Sequence, residues 1–513
     1  MLFFLALFPI AFFFFALAVR HAASHKAALA VLVVGSVLAV TFFDTSVTTL
    51  LGSVAYGTLT ALFPIVWIVL AAILVYRLSD HSGAFTVLKE QIGGISHDRR
   101  VQTILIAYCF GAFLEGATGF GAPVAITSAI LLGIGFRPMT AAIVCLIANA
   151  APVAFGGIGI PVITTATVTG IDAGVLARII SFQLFLLAAL VPFWLIWVVA
   201  GRKKMLEIWP LLTVAGLSYS VTMLVVAWLF GPNLPNIVAA CVAIVATVWY
   251  LKVTKQKPVW RFPDDVTEHH VPHRSKAELF RAWAPYVLLI ILAVTWSVPS
   301  VEHALGSLAL HLKIPGSPAT YHFNWLGSPG TAIFISAVLS LPILKIRLRD
   351  AAKVAVTALK DLYKPILTIV FILSFAFVAG NSGMLTTLGA GLAAIGFAYP
   401  VVSPLIGWLG VFVTGSDTAS GALFGGLQKT AATKLELSPE IIVATGSSGG
   451  VSGKMISPQS ISIAAGVVGE TGHEALILKR VIWHSLAFVG IISVIGLLEL
   501  YVFEGWLLKL VHA

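Results

Sequence analysis

Residues 111–123 read GAFLEGATGFGAP, and residues 137–161 read RPMTAAIVCLIANAAPVAFGGIGIP. An acid, Glu115, sits in a glycine-rich break with apolar residues on both sides, and a second break, Asn149 to Pro161, follows one helix length later. Helices in lipid satisfy their own backbone groups, so broken backbone at membrane depth survives only where protein buries it or where it lines a cavity. An ionisable group at such a place is a binding-site hypothesis by default. Two successive breaks, one carrying an acid, read as the wall of a transport site.

Composition sets the class. The chain has 513 residues, of which 59% are hydrophobic and 10% charged, and its mean hydropathy is +1.01. Soluble domains carry about 25% charged residues, so this is an all-α polytopic membrane protein embedded in the lipid bilayer. The formal net charge of +10 reflects basic residues gathered in cytoplasmic loops, and no nucleic acid partner is expected. Cys109, Cys145 and Cys241 lie within apolar segments without metal-ligand spacing and imply neither a disulfide nor a metal site. Leu2–Val19 lacks a preceding basic region and a cleavage site, and is expected to be the first span.

Apolar runs of roughly 17–25 residues mark the spans. Arg20 and Lys26 put the first connection inside, whereas Asp44 to Gly57, with neither Lys nor Arg, is expected as an outside loop before Thr58–Tyr76. Val101 to Phe136 is too short for two full spans and is expected to be a re-entrant hairpin with its tip at EGATGFGAP. Met139–Ala151 and Ile158–Val168 then form one span unwound around Pro152 to Gly157. After Val175–Val199, the pair Ile208–Phe230 and Leu234–Leu251 leads to a polar loop within 252–282. Its histidines His269, His270 and His273 read as solvated, with no further ligand nearby. Trp283–Val298, an outside loop from Pro299 to Pro329, and Gly330–Leu344 complete this part.

The second half repeats the first at an offset near 300 positions. Ser82-Gly83 matches Ser382-Gly383, GAFLEG at 111 matches GVFVTG at 410, IGIPVITTA at 158 matches MISPQSISIAA at 455, and Arg178 matches Arg480. The charge rule places the Ser-Gly segment inside in the first copy and outside in the second, so the expected architecture is two inverted-topology repeats, each with a re-entrant hairpin and a broken helix. The domains are then 1–57, N-terminal helices; 58–204, the first repeat; 205–344, connecting helices; and 345–513, the second repeat. The hairpin bases near Arg137 and Ser403 are expected inside and outside respectively.

In the second copy the hairpin tip, TGSDTASG, carries Asp417, and the paired stretch TGSSGGVSGKMISPQS carries Lys454. Gly446, Gly449, Gly450 and Gly453 are expected to free the backbone there. Ser416, Thr418, Ser447, Ser448, Ser457 and Gln459, with Thr118 and Asn149 from the first copy, are expected to supply polar contacts. Short polar side chains and exposed amides at half-helix N-termini suit an anion bearing a hydroxyl, and Lys454 adds a full positive charge. The plain alternatives are a buried Lys454–Asp417 pair that fixes helices and a Glu115 that caps its hairpin. Because no base lies in the first copy's breaks, Glu115 is expected to lack a cation partner and to carry the proton, with Asp417 organising Lys454.

At these residues the chain resembles the lactate permease family of bacterial L-lactate and glycolate transporters. The segments GAFLEGATGFGAPVAIT, ANAAPVAFGGIGIPV, GVFVTGSDTASGALF and GGVSGKMISPQSISIA look like that family's signatures, and the resemblance covers nearly the whole chain. It implies proton-coupled uptake of a short 2-hydroxy monocarboxylate, lactate or glycolate, across the bacterial inner membrane, without a cofactor. Sodium coupling is the alternative, since unwound carbonyls with Asp417 and serines can hold Na⁺. A channel would more usually show one continuous pore. An intramembrane enzyme would need a His-Glu metal motif or a nucleophile–base pair in one break, and neither is present. The oligomeric state stays open, a homo-oligomer included.

Overall fold

A computed structural model describes residues 1–20, 22–119, 121–254, 259–262 and 274–512; the loop histidines His269, His270 and His273 lie outside this set. Among the described residues the regular structure is helical, apart from one β-hairpin. Among the described residues, nine helices are long and apolar enough to cross a membrane, and a further pair, Pro138–Ala148 with Val153–Thr169, is bent by 69° at its break.

Helices α1 (Leu2–Ala18) and α2 (Ser24–Phe42) come first. The stretch expected as an outside loop from Asp44 to Gly57 is mostly helix instead: α3 spans Val47–Thr60, capped by the Ser46 hydroxyl accepting from the Thr49 amide at 3.1 Å. Absence of Lys and Arg indicates sidedness, not conformation. Here Gly52 and Gly57 let α3 lie against the 315–317 turn and the backbone of Ser374, too closely for a Cβ. A π-turn (Ala61–Val66) with extended backbone at Phe63 (φ −145°, ψ 125°) joins α3 to α4 (Trp67–His81), and α5 is Ala84–Gly93.

The first hairpin is a near-continuous helical arm, α6 (Arg99–Gln102), a π-helical stretch (Thr103–Phe110) and α7 (Gly111–Ala117), returning through α8 (Ala122–Gly133). Then follow α9 (Pro138–Ala148) and α10 (Gly156–Thr169). Their break is longer than Pro152 to Gly157, because left-handed backbone at Gly157, Ile158 and Gly159 delays regular helix. Next come α11 (Ala173–Leu206), α12 (Trp209–Phe230), α13 (Pro235–Thr254) and α14 (Lys276–Trp296). The segment after α14 contains α15 (Pro299–Gly306) and an antiparallel hairpin of β1 (Leu310–Lys313) and β2 (Thr320–Phe323), structure that the outside-loop reading did not anticipate. Two helices, α16 (Pro329–Leu344) and α17 (Leu348–Asn381), lead to the second copy.

That copy comprises α18 (Met384–Ala393), α19 (Tyr399–Thr414), α20 (Asp417–Lys434), α21 (Pro439–Lys454), α22 (Pro458–Val468) and α23 (Glu474–Tyr501), with a terminal α24 (Glu504–Val511). The order of elements recurs, down to left-handed glycines at Gly83 and Gly383 and again at Gly170 and Gly469. Packing between the copies is reciprocal. The return arm α8 lies on α22 while its counterpart α20 lies on α10, and α9 meets α23 while α21 meets α11.

One expectation fails in an instructive way. Gly446, Gly449, Gly450 and Gly453 do not unwind the backbone, because α21 is continuous through them and the break is only Met455 to Ser457. Their spacing puts them on the packed sides of α21. A Cβ at Gly449 would strike Pro404, one at Gly453 would strike Trp408, and one at Gly446 would strike the Gln428 amide. They are small-residue contacts that let helices approach.

If the hairpins enter from opposite faces, Arg137→Cys and Phe397→Cys should be labelled by an impermeant thiol reagent from opposite sides of oriented vesicles. Phe397 is 90% exposed, and of the native thiols two are buried and the third half-buried. Labelling of both from one side would refute inversion.

Candidate functional site

The two hairpin tips and the two broken helices converge. In the first tip, Glu115 lies on the last turn of α7, 3% exposed. Its side chain lies over Gly156 of the first break, where a Cβ would come within 2.7 Å of Oε1. In the second tip, left-handed Gly415 (φ +70°) turns the chain, and the Ser416 hydroxyl caps α20 by accepting from the Ala419 amide at 3.3 Å. Asp417 and Thr418 therefore occupy the first turn of an 18-residue helix, whose free amides and dipole favour negative charge. Gln459, in the first turn of α22, covers Gly415 so closely that no Cβ fits.

These parts enclose a cavity of about 50 Å³ whose polar lining is Glu115, Ser416, Asp417, Thr418, Lys454 and Gln459, with Val153 and Ile160 as apolar walls. Lys454, the last residue of α21, is 6% exposed. It lies within Coulombic reach of both Glu115 and Asp417, yet among the described residues it makes no ion pair within 4.0 Å. The expectation that Glu115 lacks a cation is thus overturned: the copies interlock, so the lysine of one serves the acid of the other. One oxygen of each acid, Glu115 Oε2 and Asp417 Oδ2, has no hydrogen-bond partner among the described residues.

Other expected site residues stand further back. Asn149 ends α9 beside the Glu115 carboxyl, with neither amide atom in a hydrogen bond of ordinary length. Ser447 borders a small adjoining pocket with Asp417, its hydroxyl likewise unpartnered. Thr118 turns its hydroxyl back to the Leu114 carbonyl at 2.8 Å. Ser457 caps α22, accepting from the Ser460 amide at 3.2 Å and donating to the Lys454 carbonyl at 3.1 Å. Ser448 faces away, donating to Gln183 Oε1 at 2.6 Å. A larger cavity, about 360 Å³, shares Ser416, Thr418 and Gln459 and runs between α1, α2 and α17 past Lys364 and His25. Among the described residues no group of three or more His, Cys, Asp or Glu side chains is placed to hold a metal ion.

Sequence reasoning missed the support of the first break. Asn236, buried in α13, donates from Nδ2 to the Pro152 carbonyl at 3.1 Å, and the Tyr219 hydroxyl donates to Asn236 Oδ1 at 2.6 Å. The signal was a lone Asn at the start of an apolar span. Replacing Asn236 with Leu leaves a buried carbonyl and a tyrosine hydroxyl unpaired, which costs about 1–3 kcal/mol for each orphaned group. Asn236→Leu should therefore lower the thermal midpoint of the purified protein, and Gly156→Ala should impair transport at normal membrane abundance by displacing Glu115. A Gly156→Ala protein with unchanged transport would separate Glu115 placement from activity.

The sequence profile of the family described as L-lactate permease matches residues 2–503. The glycolate permease GlcA of Escherichia coli (strain K12) is 40% identical, covering 98% of this chain and 96% of its own. The L-lactate permease of Bacillus subtilis (strain 168) is also 40% identical over the same shares. Among solved structures, the Alcanivorax borkumensis YdaH transporter aligns over 88% of this chain and 87% of its own, at 15% identity and a TM-score of 0.47.

Proposed function

This chain belongs to the L-lactate permease family, and from that premise we propose that it carries lactate, glycolate and related short 2-hydroxy monocarboxylates into the bacterial cell together with protons. The observation that carries this reading is the charge set of the cavity: two acids and one lysine, with the lysine paired directly to neither. The substrate carboxylate would take its place between Lys454 and the amides at the α20 N-terminus, and the hydroxyl would reach Ser416, Thr418 or Gln459. The small cavity suits an acid of a few heavy atoms.

The same charges support proton coupling. With both acids ionised the cavity is already one unit negative, and the substrate anion would make it two. Bringing negative charge into a site shielded from water is costly, so anion binding and protonation of Glu115 or Asp417 favour one another. The two copies, read as inverted, would give such a site alternate access to the two sides. The sodium alternative has no observation in its favour.

Counterflow in proteoliposomes with a panel of 2-hydroxy and non-hydroxy monocarboxylates tests the substrate class; equal transport of the non-hydroxy acids would overturn the role given to the hydroxyl. A close ion pair gains about 4 kcal/mol at an effective dielectric near 20, before desolvation. If half survives, Lys454→Gln should raise the substrate KM by roughly tenfold to a hundredfold, and an unchanged KM would remove Lys454 from the site. Glu115→Gln and Asp417→Asn separate the acids. The substitution at the proton-carrying acid should leave exchange of lactate but abolish its accumulation against a gradient by a pH difference. If both variants concentrate lactate as the parent does, neither acid carries the proton.

A further inference from the structure

A third acid lies within the helices, away from the cavity. Glu499, near the end of α23, is 1% exposed. Its Oε2 accepts from Gln183 Nε2 at 2.6 Å, while its Oε1 has no partner among the described residues. Gln183 of α11 is itself fully buried and fully engaged. Its Nε2 also donates to Thr445 Oγ1 at 2.9 Å, and its Oε1 accepts from Ser448 Oγ at 2.6 Å. The Thr445 hydroxyl hydrogen goes to the Ile441 carbonyl at 2.7 Å. Helix α23 packs against α9, α11, α19, α21, α22 and α24, and among the described residues Glu499 makes no ion pair within 4.0 Å.

This arrangement fixes where a proton can be. Both amide hydrogens of Gln183 are spent, one on Thr445 and one on Glu499, so Oε2 can only accept. The favoured place for a proton on this carboxyl is therefore Oε1, the oxygen without a partner. An ionised Glu499 would be a buried charge with one hydrogen bond and no cation, the costliest state for a carboxyl among apolar helices. A proton on Oε1 exchanges that charge for one unpaired hydroxyl, a smaller cost.

The partners of Gln183 connect this acid to the site. Thr445 and Ser448 belong to α21, the helix that ends in Lys454 and whose Gly450 lies against Asp417 Oδ1. Gly496, one turn before Glu499, packs on Thr445. Displacement of α21 would strip Gln183 of two partners and change what Glu499 meets. We propose that Glu499 is a second proton-binding site, occupied while α21 is held as seen here and linked to the position of Lys454 through Gln183. The proposal rests on the proton-coupled reading above for its role in transport, but not for proton binding itself.

Infrared difference spectroscopy of the full-length protein in lipid reads the proton directly. The expected result is a protonated-carboxyl C=O stretch that is lost in Glu499→Gln and displaced in Gln183→Leu, where its hydrogen-bond donor is gone. In proteoliposomes, Glu499→Gln should keep lactate counterflow while losing part of the pH dependence of net uptake, and Glu499→Asp should restore that dependence with a shifted profile. An undiminished C=O band in Glu499→Gln would overturn the proposal, and so would a pH profile unchanged from the parent. If the parent shows the band but takes up lactate with no proton, the symport reading fails and the proton-binding site stands. Should Glu499→Gln not reach the membrane, Glu499→Asp decides alone: an unmoved C=O band and profile in it would overturn the proposal.

Discussion

A lysine held between two carboxylates, and locked to neither, is the constraint on which the rest of this structure depends. Charges removed from water are tolerated only with opposite charge nearby and hydrogen bonds around them. Lys454 has the first from both copies, through Glu115 and Asp417. It sits at the C-terminal end of α21, where the helix dipole also favours a cation. Asp417 gains from the other end of a helix, the first turn of α20. Glu115 has no such help, since it lies in the last turn of α7, where the dipole opposes a carboxylate. The two acids are thus unequal neighbours of one lysine.

Bringing three ionisable groups to one small cavity requires backbones to come very close, and glycine is the means. Gly156 makes room for Glu115, Gly450 for Asp417, and Gly415 for Gln459. The same residue type lets α21 approach α19 at Gly449 and Gly453. Where the backbone is broken, its polar groups still need partners, and Asn236 meets that need at the Pro152 carbonyl. Close approach and satisfied breaks are two halves of one solution: a polar cavity within an apolar bundle.

Much of this was legible because broken helices leave strong marks. Clustered Gly and Pro at 115–123 and 149–161 gave the first hairpin and the bent pair, and an ordered series of matches gave the recurrence of elements. Asp417, Lys454, Glu115, Ser416, Thr418 and Gln459, all picked out from such stretches, line one cavity. What failed has physical reasons. Glycines at 446–453 look like a break when read along the chain, whereas in space they are contact points on a continuous helix. Asp44 to Gly57, without Lys or Arg, reads as a loop only if sidedness is mistaken for conformation. Gln183 and Glu499 stand alone in apolar runs with no break beside them, and Asn236 follows only an ordinary turn, so nothing local separates them from ordinary helix-packing polar residues.

The interlocking of the copies explains why a comparison of the repeats taken singly misleads. Within the breaks of its own copy Glu115 has no base, whereas Asp417 has Lys454. Because α8 lies on α22 and α20 on α10, each copy supplies one wall of a shared cavity, and the difference between the copies becomes a polarity within a single site. One side offers an acid at a helix C-terminus. The other offers an acid at a helix N-terminus with a lysine. Two identical copies would have faced like charge with like charge. Divergence at Lys454 is what makes the two walls of this cavity unlike.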